Sequence, residues 1–214
     1  MSNDFRDEVC SANRKLIEYG LVTVHSGNVS GLAAETKTVY IKPSGMDYGL
    51  MTASDIVAVS LDGAVAAGQK RPSVDLPHHL FIYNNMPEVR AVVHTHSNYA
   101  TAFAACHKPI PLVLTAIADE FGGEIPCAPY VDNEGDRIGQ AILAYKTQAP
   151  AILMANHGVF AWGSSVAAAL KAAAMVEDVA KTVWLSYGLG GPVPIAPEEA
   201  AKWFDRYQNR YGQG

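Results

Sequence analysis

Two histidines one residue apart, His94 and His96, directly follow three small apolar residues in the segment AVVHTHS. The apolar run predicts an extended strand, in which successive side chains point to opposite faces of the sheet. Residues i and i+2 then share a face, so both imidazoles can reach one metal ion. The segment therefore predicts half of a metal site, although such pairs also occur on surface strands that bind no metal.

A third imidazole is available at His157, where an apolar strand-like run ends in the sequence NHG. Three histidines that leave one coordination position open form a catalytic metal site. The residues alone predict a bound divalent ion without fixing which one, since zinc, manganese, cobalt and iron all suit three imidazoles. A lone histidine such as His157 is also compatible with an ordinary core position. The remaining histidines are expected to be structural or surface residues: His25, His78, His79 and His107. Of these, His78 or His79 could also face the pocket.

Length and composition exclude several classes of protein. The 214 residues are 49% hydrophobic, which suffices for one sizeable core. The net charge of -5 and the absence of a basic run argue against nucleic acid as a partner. No uninterrupted apolar stretch reaches the length of about 18 residues that a membrane span requires. Three cysteines without CxxC spacing argue against a disulfide framework and indicate a reducing cytoplasm.

Hydrophobic periodicity and turn signals predict the secondary structure. One helix is expected to start at a cap formed by Ser73 or Asp75 and to run to Met86. Further helices are predicted over residues 4–19, 98–105, 135–145, 165–187 and 198–210, and strands over residues 21–24, 39–42, 56–61, 91–94, 151–154 and 159–162. This order predicts an α/β fold whose mixed or mainly antiparallel central sheet is flanked by helices.

Three short polar segments carry glycine, serine or asparagine: SGNVS at 26–30, KPSG at 42–45 and PSVD at 72–75. Glycine lets backbone N–H groups approach an anion closely, and serine and asparagine donate further hydrogen bonds. Lys42 adds a positive charge. Together the segments could bind a phosphate, although each one alone is also typical of an ordinary turn.

The ordered set GNVS, IKPSG, PSVD, HTHS, ADEF, NHG and RYGQ, spread over residues 13–213, resembles the class II aldolase/adducin family and most closely its epimerase branch. The resemblance implies a single catalytic domain over residues 1–214, an α/β/α sandwich with a mainly antiparallel sheet. It also implies zinc held by three histidines, a sugar-phosphate substrate, and a homotetramer with active sites between neighbouring subunits.

The resemblance also assigns residues to roles. His94, His96 and His157 become the metal ligands, with Asp75 as a fourth ligand or a nearby acid/base group. Positions expected to bind phosphate and substrate, or to lie beside them, are Gly27, Asn28, Lys42, Ser44, Gly45, Ser73, Val74 and Thr115. Val74 stands where the family usually has a second serine, so one hydroxyl donor is missing.

Asp119 and Tyr211 match the pair that transfers protons in the epimerases, supplied by a subunit other than the one that holds the metal. Without the resemblance, Asp119 would be read as an ordinary loop acid and Tyr211 as an aromatic residue near a chain end. Asp75 would be read as a helix N-cap.

The activity implied is that of an L-ribulose-5-phosphate 4-epimerase, which cleaves and re-forms the C3–C4 bond of the sugar. A class II sugar-phosphate aldolase, such as an L-fuculose-1-phosphate aldolase, or a decarboxylase would use the same intermediate. A non-catalytic adducin-like module is a further alternative. Asp75, where the fuculose-phosphate aldolases have glutamate, and Tyr211 favour the epimerase. Ile117 and a short segment at 130–139 depart from the epimerase pattern.

Overall fold

The structure is a computed structural model that describes the backbone of residues 2–210 and the side chains of residues 5–210. Within that range the helices are α1 (Ser2–Glu18), α2 (Leu76–Asn85), α3 (Asn98–Ala105), α4 (Thr115–Phe121), α5 (Arg137–Tyr145), α6 (Val166–Tyr187) and α7 (Pro197–Arg210). The strands are β1 (Asn28–Ala33), β2 (Thr38–Ile41), β3 (Val57–Ser60), β4 (Ala91–Thr95), β5 (Cys127–Ala128), β6 (Ala151–Met154) and β7 (Gly158–Gly163).

The strands form one sheet in the order β3-β2-β1-β4-β7-β6-β5. Each neighbouring pair is antiparallel except β5 and β6, which are parallel. The central strands β1, β4 and β7 are therefore hydrogen-bonded on both sides. The predicted mainly antiparallel sheet is confirmed.

Helices cover both faces of this sheet, because side chains alternate along each strand. Val93 of β4 belongs to a core cluster with residues of α1, α3, α4 and α6. Its neighbour Val92 belongs to a second cluster with residues of α2 and α5. The arrangement is an α/β/α sandwich, as the family resemblance implied. None of the helices in residues 2–210 combines the length and apolar character needed to cross a bilayer.

The strand predicted over residues 21–24 is wrong. Val24 has a positive φ of 57° and lies in a turn, and Gly27 follows with a φ of 74°. The first strand instead begins at Asn28, inside the segment that was read as a polar loop. Hydrogen bonding explains this, because Asn28 and Ser30 have side-chain partners inside the fold and so can be buried in a central strand.

Two short elements were not predicted. Helix α4 has only seven residues and includes Asp119, which the sequence without the family resemblance would place in a loop. Strand β5 has two residues, too few for periodicity to reveal. Both depend on tertiary contacts, since neither is long enough to be stable by local propensity.

Asn13 links α1 to the sheet through a buried side chain. Its Oδ1 accepts a hydrogen bond from the backbone N–H of Val29 at 2.8 Å. Its Nδ2 donates to the carbonyl oxygens of Val29 at 3.0 Å and of Val9 at 2.8 Å. One amide thereby satisfies both backbone groups of Val29 at the start of β1.

We predict that Asn13→Ala destabilises the protein, because it leaves the buried N–H and C=O of Val29 without these partners. The expected loss in free energy of unfolding is about 1–3 kcal/mol, measured by urea denaturation. Asn85→Ala is the matched control, since Asn85 is exposed and makes one comparable bond to the Phe81 carbonyl. Equal losses in the two variants would contradict the prediction.

Candidate metal centre

His94 lies in β4, His96 lies just beyond its end, and His157 lies in the turn between β6 and β7. Strands β4 and β7 pair up to Thr95 and Val159, which places that turn beside the end of β4. The ring centroids are 4.7 Å apart for His94 and His96, 4.9 Å for His94 and His157, and 5.2 Å for His96 and His157. One ring nitrogen from each lies within 4.8 Å of the others, so this cluster could hold a metal ion.

The protonation of these rings suits metal binding. His94 Nδ1 lies 2.9 Å from the carbonyl oxygen of Val159 and donates to it, which leaves the Nε2 lone pair free. That Nε2 lies 2.9 Å from Nε2 of His96. Burial lowers the pKa of His94, His96 and His157, so all three are neutral and able to act as ligands at neutral pH. Three neutral imidazoles are a donor set that divalent transition metals prefer.

Two glycines allow the backbone to pass close to this cluster. A Cβ at Gly158 would overlap the carbonyl oxygen of Thr95 and lie 2.7 Å from Cδ2 of His96. A Cβ at Gly27 would lie 2.7 Å from the carbonyl oxygen of His94. The absence of side chains at these two positions is therefore a steric condition for the convergence of the ligands.

Asp75 is buried beside the cluster. Its Oδ2 accepts a hydrogen bond from Asn28 Nδ2 at 2.6 Å. Burial raises the pKa of Asp75, but interactions with His94 and His79 and the Asn28 bond outweigh burial and hold the pKa below its usual value. The group is therefore a carboxylate at neutral pH.

The structure gives no support to a helix-capping role for Asp75 and leaves its metal role open. It precedes α2, but among the described residues its carboxylate makes no capping hydrogen bond. It is also outside the compact group of three imidazoles. Its assignment as a fourth ligand or acid/base group stays a prediction.

The imidazoles open into a cavity of about 260 Å³. Its lining includes all the predicted phosphate and substrate positions except Thr115: Gly27, Asn28, Lys42, Ser44, Gly45, Ser73 and Val74, together with Asp75, His94, His96 and His157. The three polar segments and the histidine cluster therefore meet in one pocket.

Lys42 brings a buried positive charge to this pocket. Only 2% of the residue is exposed. Its Nζ lies 3.5 Å from the His25 carbonyl oxygen, 3.4 Å from that of Pro43 and 4.7 Å from the centre of the Tyr48 ring. Burial lowers the pKa of Lys42, although Asp75 and Asp47 partly oppose the shift. Among the described residues no carboxylate forms an ion pair with this ammonium group, so an anionic ligand would stabilise it.

Thr115 and Asp119 lie elsewhere in the described chain. Both belong to α4, and neither lines the cavity. Helix α7 packs against α4, with Gln208 Nε2 3.4 Å from the Asp119 carbonyl oxygen. Tyr211 lies outside the described residues.

Two lining residues lie outside the predicted polar segments, His25 and Asn133, and a third, Ser26, lies in the segment SGNVS without having been assigned a role of its own. His25 was expected to be structural or at the surface. It reaches the rim because it follows Val24 in the turn before β1. Asn133 lies in the polar segment VDNEGD, whose sequence indicates a loop but not where that loop folds. His78 and His79, by contrast, are fully buried and do not line the cavity.

Residues 7–184 match the family model described as the class II aldolase and adducin N-terminal domain. The chain therefore belongs to the class II aldolase/adducin family. It is 39% identical over 195 residues, 86% of each chain, to the L-ribulose-5-phosphate 4-epimerase UlaF of Salmonella paratyphi B. The corresponding protein of Salmonella paratyphi C is 40% identical over the same share of each chain.

A solved structure of an L-fuculose 1-phosphate aldolase has a similar fold. It superposes with a TM-score of 0.87 at 29% sequence identity, covering 96% of each chain. The class II aldolase fold predicted from the motifs is thus confirmed.

We predict that His96→Ala removes bound metal, because two imidazoles remain where three converged. Metal content per chain, measured by mass spectrometry on protein purified without chelator, should fall from one equivalent to near zero. Circular dichroism should stay unchanged, since His96 lies beyond the end of its strand and outside the apolar core. Asn98→Ala, an exposed neighbour two residues along, is the control and should keep its metal. Stoichiometric metal in His96→Ala would contradict the ligand assignment.

Proposed function

We propose that this chain is a divalent-metal-dependent sugar-phosphate epimerase with L-ribulose 5-phosphate as its substrate. The observation that carries the proposal is one cavity lined by three neutral imidazoles and by the buried ammonium group of Lys42, which has no carboxylate at ion-pair distance among the described residues. Relatives that match 86% of the chain are named for this activity. We propose zinc as the metal, and manganese or cobalt would suit the same ligands.

The substrate dictates which bond must break. The hydrogen on C4 of a 2-ketopentose phosphate is not adjacent to the C2 carbonyl, so simple deprotonation cannot invert C4. Cleavage of C3–C4 solves this problem, because its electron pair is delocalised into the C2 carbonyl. The products are a three-carbon enediolate and an aldehyde that carries the phosphate. If the aldehyde turns before the bond re-forms, C4 is inverted.

The residues of the cavity have separate roles in this scheme. Lys42, Asn28 and Ser44 would hold the phosphate, so the aldehyde could turn without leaving. His94, His96 and His157 would hold the metal, which supplies Lewis-acid stabilisation of the negative charge on the sugar oxygens when it is bound. Val74 contributes no hydroxyl group, so the phosphate would have one hydrogen-bond donor fewer than in a relative with serine at position 74.

Proton transfer at the aldehyde oxygen requires a group on each side of it. We assign these roles to Asp119 and Tyr211, supplied by a neighbouring subunit. The absence of Asp119 from the cavity lining of its own chain supports this assignment. It requires an oligomer, and we propose a homotetramer of single-domain subunits in the cytoplasm.

A class II aldolase is the second candidate, and its support is the structural similarity to an L-fuculose 1-phosphate aldolase. An aldolase would release the two fragments that an epimerase recombines. The aspartate at position 75 favours the epimerase. The convergence of the three imidazoles disfavours a non-catalytic adducin-like module.

Incubation with L-ribulose 5-phosphate tests the proposal. We expect D-xylulose 5-phosphate to accumulate to an equilibrium mixture in an assay by NMR or chromatography. Release of glycolaldehyde phosphate without D-xylulose 5-phosphate would establish the aldolase instead. If metal-free protein shows no turnover even after Zn²⁺ has been added back, the non-catalytic module is supported. The His96→Ala variant controls for contaminating enzyme.

Tyr211→Phe is expected to slow epimerisation by about 10²-fold or more, because it removes one proton carrier. Metal content and assembly should not change. Tyr145→Phe, which alters an exposed tyrosine on α5, is the control. An unchanged turnover number in Tyr211→Phe would exclude Tyr211 from the chemistry.

The His96→Ala and Tyr211→Phe variants together can test whether the site is shared between subunits. Tetramers assembled from a mixture of the two chains should recover part of the activity. Some sites would then combine the intact metal ligands of a Tyr211→Phe chain with the intact tyrosine of a His96→Ala chain. No recovery in verified mixed tetramers would place both groups in one chain.

A further inference from the structure

Three buried side chains form a hydrogen-bonded chain behind the metal centre. Ser30 Oγ on β1 lies 2.7 Å from Nδ1 of His79 and 2.7 Å from the hydroxyl oxygen of Tyr83. His79 and Tyr83 are one turn apart on α2. Ser30 and His79 are fully buried and Tyr83 is 4% exposed, so solvent does not compete for these bonds.

The hydrogen bonds of this chain have a defined direction. Among the described residues, Ser30 Oγ is the one side-chain acceptor at hydrogen-bond distance from the Tyr83 hydroxyl, so the phenol proton points to Ser30. The Tyr83 O–H then donates to Ser30, and the Ser30 O–H donates to Nδ1 of His79. Burial lowers the pKa of His79 to about 4, so the ring is neutral at neutral pH and its one proton is on Nε2.

The free end of this chain belongs to a residue one helical turn from Asp75. Nε2 of His79 is buried and has no hydrogen-bond partner among the described residues. Asp75 is four residues before His79 at the start of the same helix, and both side chains bond to β1, Asp75 to Asn28 and His79 to Ser30. Phe160 connects the chain to the metal centre, because its ring stacks on His94 at 4.3 Å and meets the edge of His79 at 6.0 Å.

We propose that His79 is a positioning residue for Asp75. The chain from Tyr83 through Ser30 selects the imidazole tautomer with its proton on Nε2, and this N–H stabilises and orients the Asp75 carboxylate beside the three imidazoles. Partners of this kind set ligand orientation and metal affinity. The inference rests on the proposed metal role of His94, His96 and His157.

A double-mutant cycle with Co²⁺ tests the proposal without measuring activity. Co²⁺ dissociation constants are measured for metal-free wild-type protein, His79→Leu, Asp75→Asn and the double variant. If His79 acts through Asp75, His79→Leu weakens Co²⁺ binding by about 10–100-fold in the wild-type background. In the Asp75→Asn background the same change weakens binding by less than about threefold. The visible absorption bands of bound Co²⁺ should shift alike in both single variants.

Two further variants separate positioning from folding. Ile82→Val loosens the packing of the same helix without a polar change, and its Co²⁺ affinity and spectrum should match those of the wild type. Tyr83→Phe removes only the first hydroxyl of the chain and should weaken Co²⁺ binding several-fold with an intact fold. It carries the test if His79→Leu does not fold.

The outcomes distinguish the two proposals. A wild-type protein that binds no Co²⁺ would overturn the metal centre, and the role of His79 with it. Tight binding by the wild type with equal losses in both backgrounds, or no loss in either, would overturn only the role of His79.

Discussion

The antiparallel pairing of β4 with β7 is the contact on which the rest of the site depends. It brings the turn that carries His157 to the strand that carries His94 and His96, which are far away in the sequence. The pairing also aligns the carbonyl oxygen of Val159 with Nδ1 of His94, so the same ladder that joins the strands sets the tautomer of a ligand. Gly158 allows the two backbones to approach this closely.

Charge inside the cavity is the second organising feature. The ammonium group of Lys42 and the carboxylate of Asp75 are both buried, and they do not form an ion pair with each other. Such charges are unfavourable in a folded protein unless something compensates them. An anion near Lys42 and a cation near Asp75 would do so. The distribution of charge therefore matches a ligand with a phosphate at one end and metal-binding oxygens at the other.

Much of this arrangement could be predicted from the sequence, because its strongest signals are local. The spacing of His94 and His96 in an apolar run placed two imidazoles on one strand, and periodicity located the long helices. Local signals failed where tertiary contacts decide the structure. Asn28 and Ser30 look like loop residues, yet side-chain hydrogen bonds hold them in a central strand. The position of Asn133 in the cavity lining depends on how a polar loop folds, which its own residues do not specify.

The loop with Asn133 follows β5, a two-residue strand at the edge of the sheet, whereas the three imidazoles are carried by the ends of strands at its centre. An edge has a neighbour on one side only, so lengthening or shortening the chain there disturbs few backbone hydrogen bonds. The metal ligands are therefore fixed by strands at the centre of the sheet, and the loop with Asn133 lies at its edge, where changes in chain length are tolerated. Under the proposed function, changes in this loop would alter the lining of the cavity at Asn133 and leave the three imidazoles in place.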